Sequence, residues 1–140
     1  MTHQTPSSSA QRATFRPAHH MRSGADFQRA WRGGGRARGS VLSLVAVPNG
    51  LDESRLGLSV GKKIWKHAVR RNRLRRLFRE AFRLSRAELP RGFDWVLIPA
   101  RPRLDPELSD VRDELLSLSQ LAVQRALQKA ERRAREEAGE

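Results

Sequence analysis

Residues 55–84 read RLGLSVGKKIWKHAVRRNRLRRLFREAFRL, and the rest of the chain is organised around them. The first six residues have the character of a strand. From about His67 onward, Leu74, Leu77, Phe78, Ala81 and Phe82 recur at i, i+3, i+4, i+7 and i+8, the period of one buried helical stripe. At 100° per residue the opposite face collects Asn72, Arg76, Arg79 and Arg83, with Arg73, Arg75 and Arg86 on its flanks. Between Gly61 and Arg86 stand eleven Lys or Arg and a single acid, Glu80, so pairing along the helix cannot neutralise that face. Like charges four apart, as at Arg75 and Arg79 or Arg79 and Arg83, cost free energy when merely solvated. The face therefore asks for an anionic partner. A membrane surface fits less well than nucleic acid, because the apolar stripe is compact enough for an ordinary core. Arg also outnumbers Lys, and its planar fork grips phosphate oxygens in pairs and stacks on bases.

Composition supports the same class of partner. The 140 residues allow one domain with a modest core. A formal net charge of +13 is the electrostatic footprint of a nucleic-acid binder and is far from that of an ordinary enzyme. The chain has no cysteine, which excludes disulfides and cysteine zinc sites and accords with a reducing cytoplasm. No window approaches the ~20 apolar residues that span a bilayer, and the N-terminus lacks the apolar segment of a secretory signal. The expected location is the cytoplasm, with no membrane contact.

Working outward, residues 1–16 are polar and almost free of large apolar groups, and are expected to form a disordered tail. Ser23 with Asp26 predicts a capped helix over 24–32, carrying Phe27, Ala30 and Trp31 on one side and stopped by Gly33, Gly34 and Gly35. Phe27 and Trp31 suit either the core or a ligand groove, where they would stack on unpaired bases. VLSLVAV, residues 41–47, predicts a strand covered on both faces, and LGLSV, residues 56–60, is expected to pair with it antiparallel. The basic helix ends before Pro90. FDWVLIPA, residues 93–100, is another strand. Asp105 is the expected cap of a last helix, with Pro106 in first position, a stripe of Leu108, Val111, Leu115, Leu118 and Ala122, and an end near Ala130. Residues 131–140 are expected to be a charged tail of fraying helix or coil. The element order predicts an α+β fold: a single-domain sandwich over 17–130, with about four mainly antiparallel strands and three helices in the order α-β-β-β-α-β-α.

The chemistry of a freestanding nuclease is hard to find. Its carboxylates would have to cluster around a metal, yet Asp52, Glu53 and Glu80 are scattered, and the acids from Asp105 to Glu114 are accounted for by the dipole of the last helix. His19 and His20 are adjacent and His67 stands alone. No Gly-rich phosphate loop follows a strand. What remains is binding: Asn72, Arg76, Arg79 and Arg83 along one helix face, extended by Lys62, Lys63 and Lys66 in the preceding connection. Charge alone would equally suit a ribosomal-type structural RNA-binding protein.

Three blocks carry more than charge. RLGLSVGKK (55–63), then Ala68, Arg71-Asn72-Arg73-Leu74-Arg75-Arg76-Leu77 and REAFR (79–83), resembles the signature of the protein subunit of bacterial ribonuclease P. SGADFQRAW (23–31) is similar to that family's N-terminal helix, and GFDWVLIPAR (92–101) to its strand after the signature helix. About 110 residues are covered, from Phe15 to near Leu127. Where many members have Gly-x-Ala-Val after the Lys-Lys pair, this chain has Trp65-Lys66-His67-Ala68-Val69. Trp31 stands where an aromatic, often Phe, is usual.

The resemblance implies a left-handed β-α-β crossover around the basic helix, against the usual right-handed rule. It also implies that the protein is not itself the catalyst: a partner RNA subunit, with magnesium held mainly by RNA and substrate, removes the 5′ leader of precursor tRNA. By the same resemblance Arg71, Asn72, Arg73, Arg75, Arg76 and Arg79 meet the catalytic RNA and nearby leader. Lys62, Lys63, Lys66, Arg70 and Arg83 extend that RNA-binding surface, and Phe27 with Trp31 lines the groove for the single-stranded leader. Neither an organic cofactor nor a catalytic residue of the protein is expected.

Overall fold

A computed structural model describes residues 19–21 and 23–139, so the expected tail over 1–16 lies outside the described residues. Its elements are α1 (Gly24–Gly33), β1 (Gly35–Arg38), β2 (Leu42–Pro48), β3 (Arg55–Leu58), α2 (Ala68–Ser85) followed by a short 3-10 turn (Arg86–Glu88), β4 (Phe93–Pro99) and α3 (Leu108–Ala138). The four strands form one mixed sheet in the order β1-β2-β4-β3. β2 runs antiparallel to β1 and to β4, and β3 runs parallel to β4. The order α-β-β-β-α-β-α and the α+β class are as expected.

One pairing is not. β3 does not lie beside β2 but on the far side of β4, in parallel register with Arg55 opposite Asp94 and Leu58 opposite Leu97. Both edges of β2 are already occupied, by the short strand β1 and, over all seven residues, by β4. FDWVLIP is the longer and more apolar claimant to a central position, and the four-residue β3 is left to the edge. The connection from β3 to β4 then has to cross the sheet, and α2 is that crossover.

Strand alternation gives the sheet two apolar faces. Leu42, Leu44 and Ala46 of β2, Trp95 and Leu97 of β4 and Leu56 of β3 meet Leu74, Phe78, Ala81 and Phe82 of α2. Val111, Leu115, Ala122 and Ala126 of α3 close the same core. Phe78 and Phe82 have no exposed surface, and each contributes about 1.5–3 kcal/mol by burial. On the opposite face Val45, Val47 and Val96 pack with Met21 and Ala30, and Phe27, Trp31 and Ile98 lie partly buried against them.

Close approaches explain two of the glycines. A Cβ on Gly35 would stand 2.2 Å from Ala122 O and Ala126 N, so β1 rests directly on the backbone of α3. A Cβ on Gly57 would stand 2.8 Å from Phe27 Cζ, so the bare strand lets that ring lie on the sheet.

The helix ends differ from expectation at α3. Its N-cap is Glu107, in a reciprocal capping box with Asp110, while Asp105 and Pro106 precede it. Asp110 sits at the third helical position, where its carboxylate can accept the Glu107 N–H, and that reciprocity places the start. α3 also continues past Ala130 to Ala138: KAERRAREEA is built from strong helix formers, and no Gly or Pro interrupts it before Gly139. The expected tail over 131–140 is therefore helical through residue 138. Ser23 caps α1 as read, with both bonds of the box present.

Candidate nucleic-acid interface

α2 is fixed by its buried stripe, which leaves its other face to the cations. Arg70, Asn72, Arg73 and Arg76 are exposed, and Arg71, Arg75, Arg79 and Arg83 are half-buried. The helix begins after His67, whose side chain makes no capping bond, and its first turn holds no acid. The positive end of the helix dipole thus adds to the cations around it. Lys62, Lys63 and Lys66 are exposed in the connection before it, and with Trp65 and Arg103 they border a cleft of about 670 Å³.

The arginines divide by what they touch. Arg71 donates to the carbonyls of Trp65 and Lys66 at 3.0 and 2.8 Å, and Arg75 to Asn72 Oδ1 at 2.9 Å and the Val60 carbonyl at 2.9 Å. These two tie the β3–α2 connection to the helix while keeping their charge. Arg83 departs from the expected open ridge: its Nε and Nη2 bind both oxygens of Glu80, at 3.0 and 2.7 Å. The hydrogen bond and charge of Arg83 hold the Glu80 carboxyl below its usual range, against a smaller effect of burial. Arg86 is likewise paired with Glu53. Among the described residues, Arg70, Arg73, Arg76 and Arg79 make no ion pair within the chain, so the uncompensated ridge is shorter than the run of letters suggests.

The second surface lies between α1 and the sheet. Phe27 and Trp31 are both half-buried, their ring centroids 6.5 Å apart, and Arg36 of β1 stands over the Trp31 ring at 5.4 Å. The rings are neither wholly core nor wholly free: each rests on the Val45, Val47 and Val96 cluster and keeps a partly open side. Arg36 and Arg38 are exposed on the same face of β1, beside half-buried Ser43 and Ile98. The result is an aromatic and aliphatic floor with a basic edge.

A buried ionic node sets where α1 sits. Asp94, fully buried, accepts from Arg55 Nε and Nη2 at 2.8 and 2.7 Å, from Arg29 Nη2 at 2.6 Å and from Asn49 Nδ2 at 3.0 Å. Arg55 also reaches Asp26 of α1 at 3.3 Å. Hydrogen bonding to Asp94 raises the Arg55 pKa still further, against the opposing effect of burial. The node bolts α1 to β3 and β4, and so orients Phe27 and Trp31.

Sequence reasoning missed this node, because one Asp inside FDWVLIP does not reveal its partners. It also missed Arg36 and Arg38, which only the β1–β2 hairpin brings to the groove side, and the position of Trp65. Pairing of the whole β1–β2 register was the signal that could have found the first two. Among the described residues no three His, Asp or Glu side chains converge as a metal site requires, and no helix is long and apolar enough to cross a membrane.

The family model described as Ribonuclease P matches residues 15–123. The chain belongs to the ribonuclease P protein family. The ribonuclease P protein component of Syntrophobacter fumaroxidans is 39% identical over 105 residues, covering 74% of this chain and 87% of that one. The component of Thermotoga maritima is 37% identical over 110 residues, covering 75% and 92%. A solved ribonuclease P protein from Thermotoga maritima superposes with a TM-score of 0.64 at 35% identity, over 72% of this chain and 94% of that one. One from Staphylococcus aureus gives 0.64 at 28% identity, over 74% and 94%. As a ribonuclease P protein component of bacterial type, the chain is a subunit of an endoribonuclease assembly with a role in tRNA processing. The family match ends within α3, whose last turns extend beyond it.

Proposed function

We propose that this chain, acting in the cytoplasm, binds the catalytic RNA of ribonuclease P through α2 and the connection before it. The groove between α1 and the sheet holds the single-stranded 5′ leader of precursor tRNA. On this reading the RNA subunit, with magnesium bound mainly by RNA and substrate, hydrolyses the phosphodiester, and the protein binds and positions. Arg70, Arg73, Arg76 and Arg79 engage phosphates, and Lys62, Lys63 and Lys66 extend the contact. Arg71 and Arg75 hold the backbone path that presents them, and Asn72 lies exposed among them. Phe27 and Trp31 stack on leader bases, with Arg36 and Arg38 near their phosphates.

The observation that carries this reading is that Arg70, Arg73, Arg76 and Arg79 of α2 make no ion pair among the described residues, in a family member. The acids that the fold gathers are occupied otherwise: Asp94 in the buried node, Glu80 and Glu53 on arginines, Glu114 in a turn. The test adds the purified chain to the in vitro transcribed RNA subunit at low magnesium and follows precursor tRNA cleavage. Stimulation is expected. No stimulation would leave a structural RNA-binding role, and cleavage by the protein without RNA would overturn the division of labour.

A further inference from the structure

A second cleft, of about 390 Å³, lies between α2 and the segment leading into α3. It has two walls of opposite sign. Arg70, Arg73 and Arg76 line the α2 side together with Glu80, whose charge Arg83 answers, and Asp105 and Glu107 line the other. Between them is an apolar floor of Leu74, Leu77, Leu104 and Leu108. Trp65 closes one end, half-buried, with its Nε1–H donating to the Leu104 carbonyl at 2.8 Å and the Arg70 guanidinium 4.9 Å from its ring centroid.

We propose that this cleft takes one unpaired nucleotide of the partner RNA, its base stacked on the Trp65–Arg70 pair. A polyanion of phosphates alone would be repelled by the acidic wall, and an uncharged apolar group would leave both charged walls unanswered. A nucleotide is two-signed in the same sense. Its phosphate suits Arg73 and Arg76, its ring suits the indole and leucine floor, and amino hydrogens on a base edge suit the carboxylates. The volume falls in the range of small-ligand sites and exceeds that of a bare base. A Trp fixed by its N–H, with an Arg over its face, is a ready stacking platform that costs little side-chain ordering on binding. The proposal rests on the RNA-binding reading of α2 given above, and adds to it a site for a single base.

The experiment compares the full chain with Trp65→Leu, Trp65→Phe and Leu108→Trp. Affinity for the in vitro transcribed ribonuclease P RNA subunit is measured at several salt concentrations, and the melting temperature of each protein is recorded. Trp65→Leu and Trp65→Phe both lose the bond to Leu104, but only the first loses the aromatic face. Trp65→Leu is expected to weaken binding about tenfold or more with an unchanged salt slope. Trp65→Phe is expected to stay within about threefold of the wild type. Leu108→Trp, which fills the cleft from its other side, should weaken binding like Trp65→Leu. Equal losses in Trp65→Leu and Trp65→Phe would make Trp65 purely structural and overturn the proposal, as would wild-type affinity in Leu108→Trp. Failure of the wild type itself to bind the RNA would instead overturn the reading of α2 beneath it.

Discussion

Replacing Glu114 by Gln should cost about 1–2 kcal/mol of stability at pH 7, and most of that cost should vanish in acid. The Glu114 carboxylate reaches from α3 into the β1–β2 turn. Its Oε1 accepts the Val41 and Leu42 N–H groups at 3.0 and 2.9 Å, and its Oε2 the Ser40 N–H and hydroxyl at 2.8 and 2.6 Å. Gly39 makes room, since a Cβ there would stand 2.3 Å from Oε1. An amide can offer only one oxygen, so either pair of donors would face an NH2 group. The Ser40 donors are exposed and can turn to water, while Leu42 is fully buried. The amide oxygen therefore stays on Val41 and Leu42, and what is lost is the charged acceptor, bonds to a charged group being worth about 1.5–3 kcal/mol before the solvent-facing Ser40 pair is discounted. Burial raises the carboxyl pKa, but the bonds from Ser40, Val41 and Leu42 outweigh it, and the net shift is downward. A depressed carboxyl contributes stability that is full above its unfolded pKa of about 4.3 and is lost as pH falls through the folded value. Urea denaturation of wild type and Glu114→Gln at pH 7 and at pH 3, followed by circular dichroism, isolates this group, because Glu53 and Glu80 are common to both proteins. A difference below about 0.5 kcal/mol at pH 7, or one equally large at pH 3, would refute the reasoning.

Other perturbations test other joints. Arg55→Ala leaves the buried Asp94 charge short of its main partner and should cost about 3–5 kcal/mol, measured by the same denaturation. Gly35→Ala drives a methyl into the α3 backbone and should cost at least about 1–3 kcal/mol, whereas Gly24→Ala, with open space around it, should cost nothing measurable. Arg76→Ala should weaken binding to the RNA subunit and flatten the dependence of log affinity on log salt by less than one unit, and unchanged affinity at low salt would remove that residue from the interface.

The helix periodicity of residues 67–84 was legible because a stripe of Leu and Phe at 3.6-residue spacing has one solution, and α2 buries that stripe. The partner of β3 was not legible. An eight-residue link after Val47 is compatible with a hairpin, and only competition from β4 for the same edge excludes it. Caps were legible at α1, where Ser23 and Asp26 have one helix to serve, and misread at α3, where Asp105, Glu107 and Asp110 all compete near the start. Glu114 read as one more acid in the first turns of a helix, yet its bonds go to a turn more than seventy residues away. Charge counting sees how many cations a surface carries. It cannot see that Arg55 and Arg29 are spent on a buried carboxylate, or that Trp65 stands between two clefts.

Arg79 and Arg83 show what this blindness means for function, since the sequence places them four apart on one helical face and gives no ground for separating them. In the fold Arg83 is held by both oxygens of Glu80, and Arg79 has no acid against it among the described residues. If α2 lies against RNA phosphates, Arg79 releases a counterion on binding, and Arg83 presents with Glu80 a nearly neutral pair. Arg79→Ala should therefore lower the salt slope by about 0.7–0.9, and Arg83→Ala by much less. Arg83→Ala also strands the Glu80 charge near the RNA, so it should lower affinity without flattening the slope. Glu80→Gln separates the two effects. It removes the only acid between Gly61 and Arg86, takes the carboxylate charge away from Arg83, and should tighten binding to the RNA subunit while steepening the slope. Because Arg83 depresses the Glu80 pKa, the pair is intact throughout pH 5–8, and the gain from Glu80→Gln should not vary across that range. A Glu80→Gln protein that binds the RNA more weakly than wild type, with its fold intact, would mean that the α2 ridge does not face phosphates at this turn of the helix.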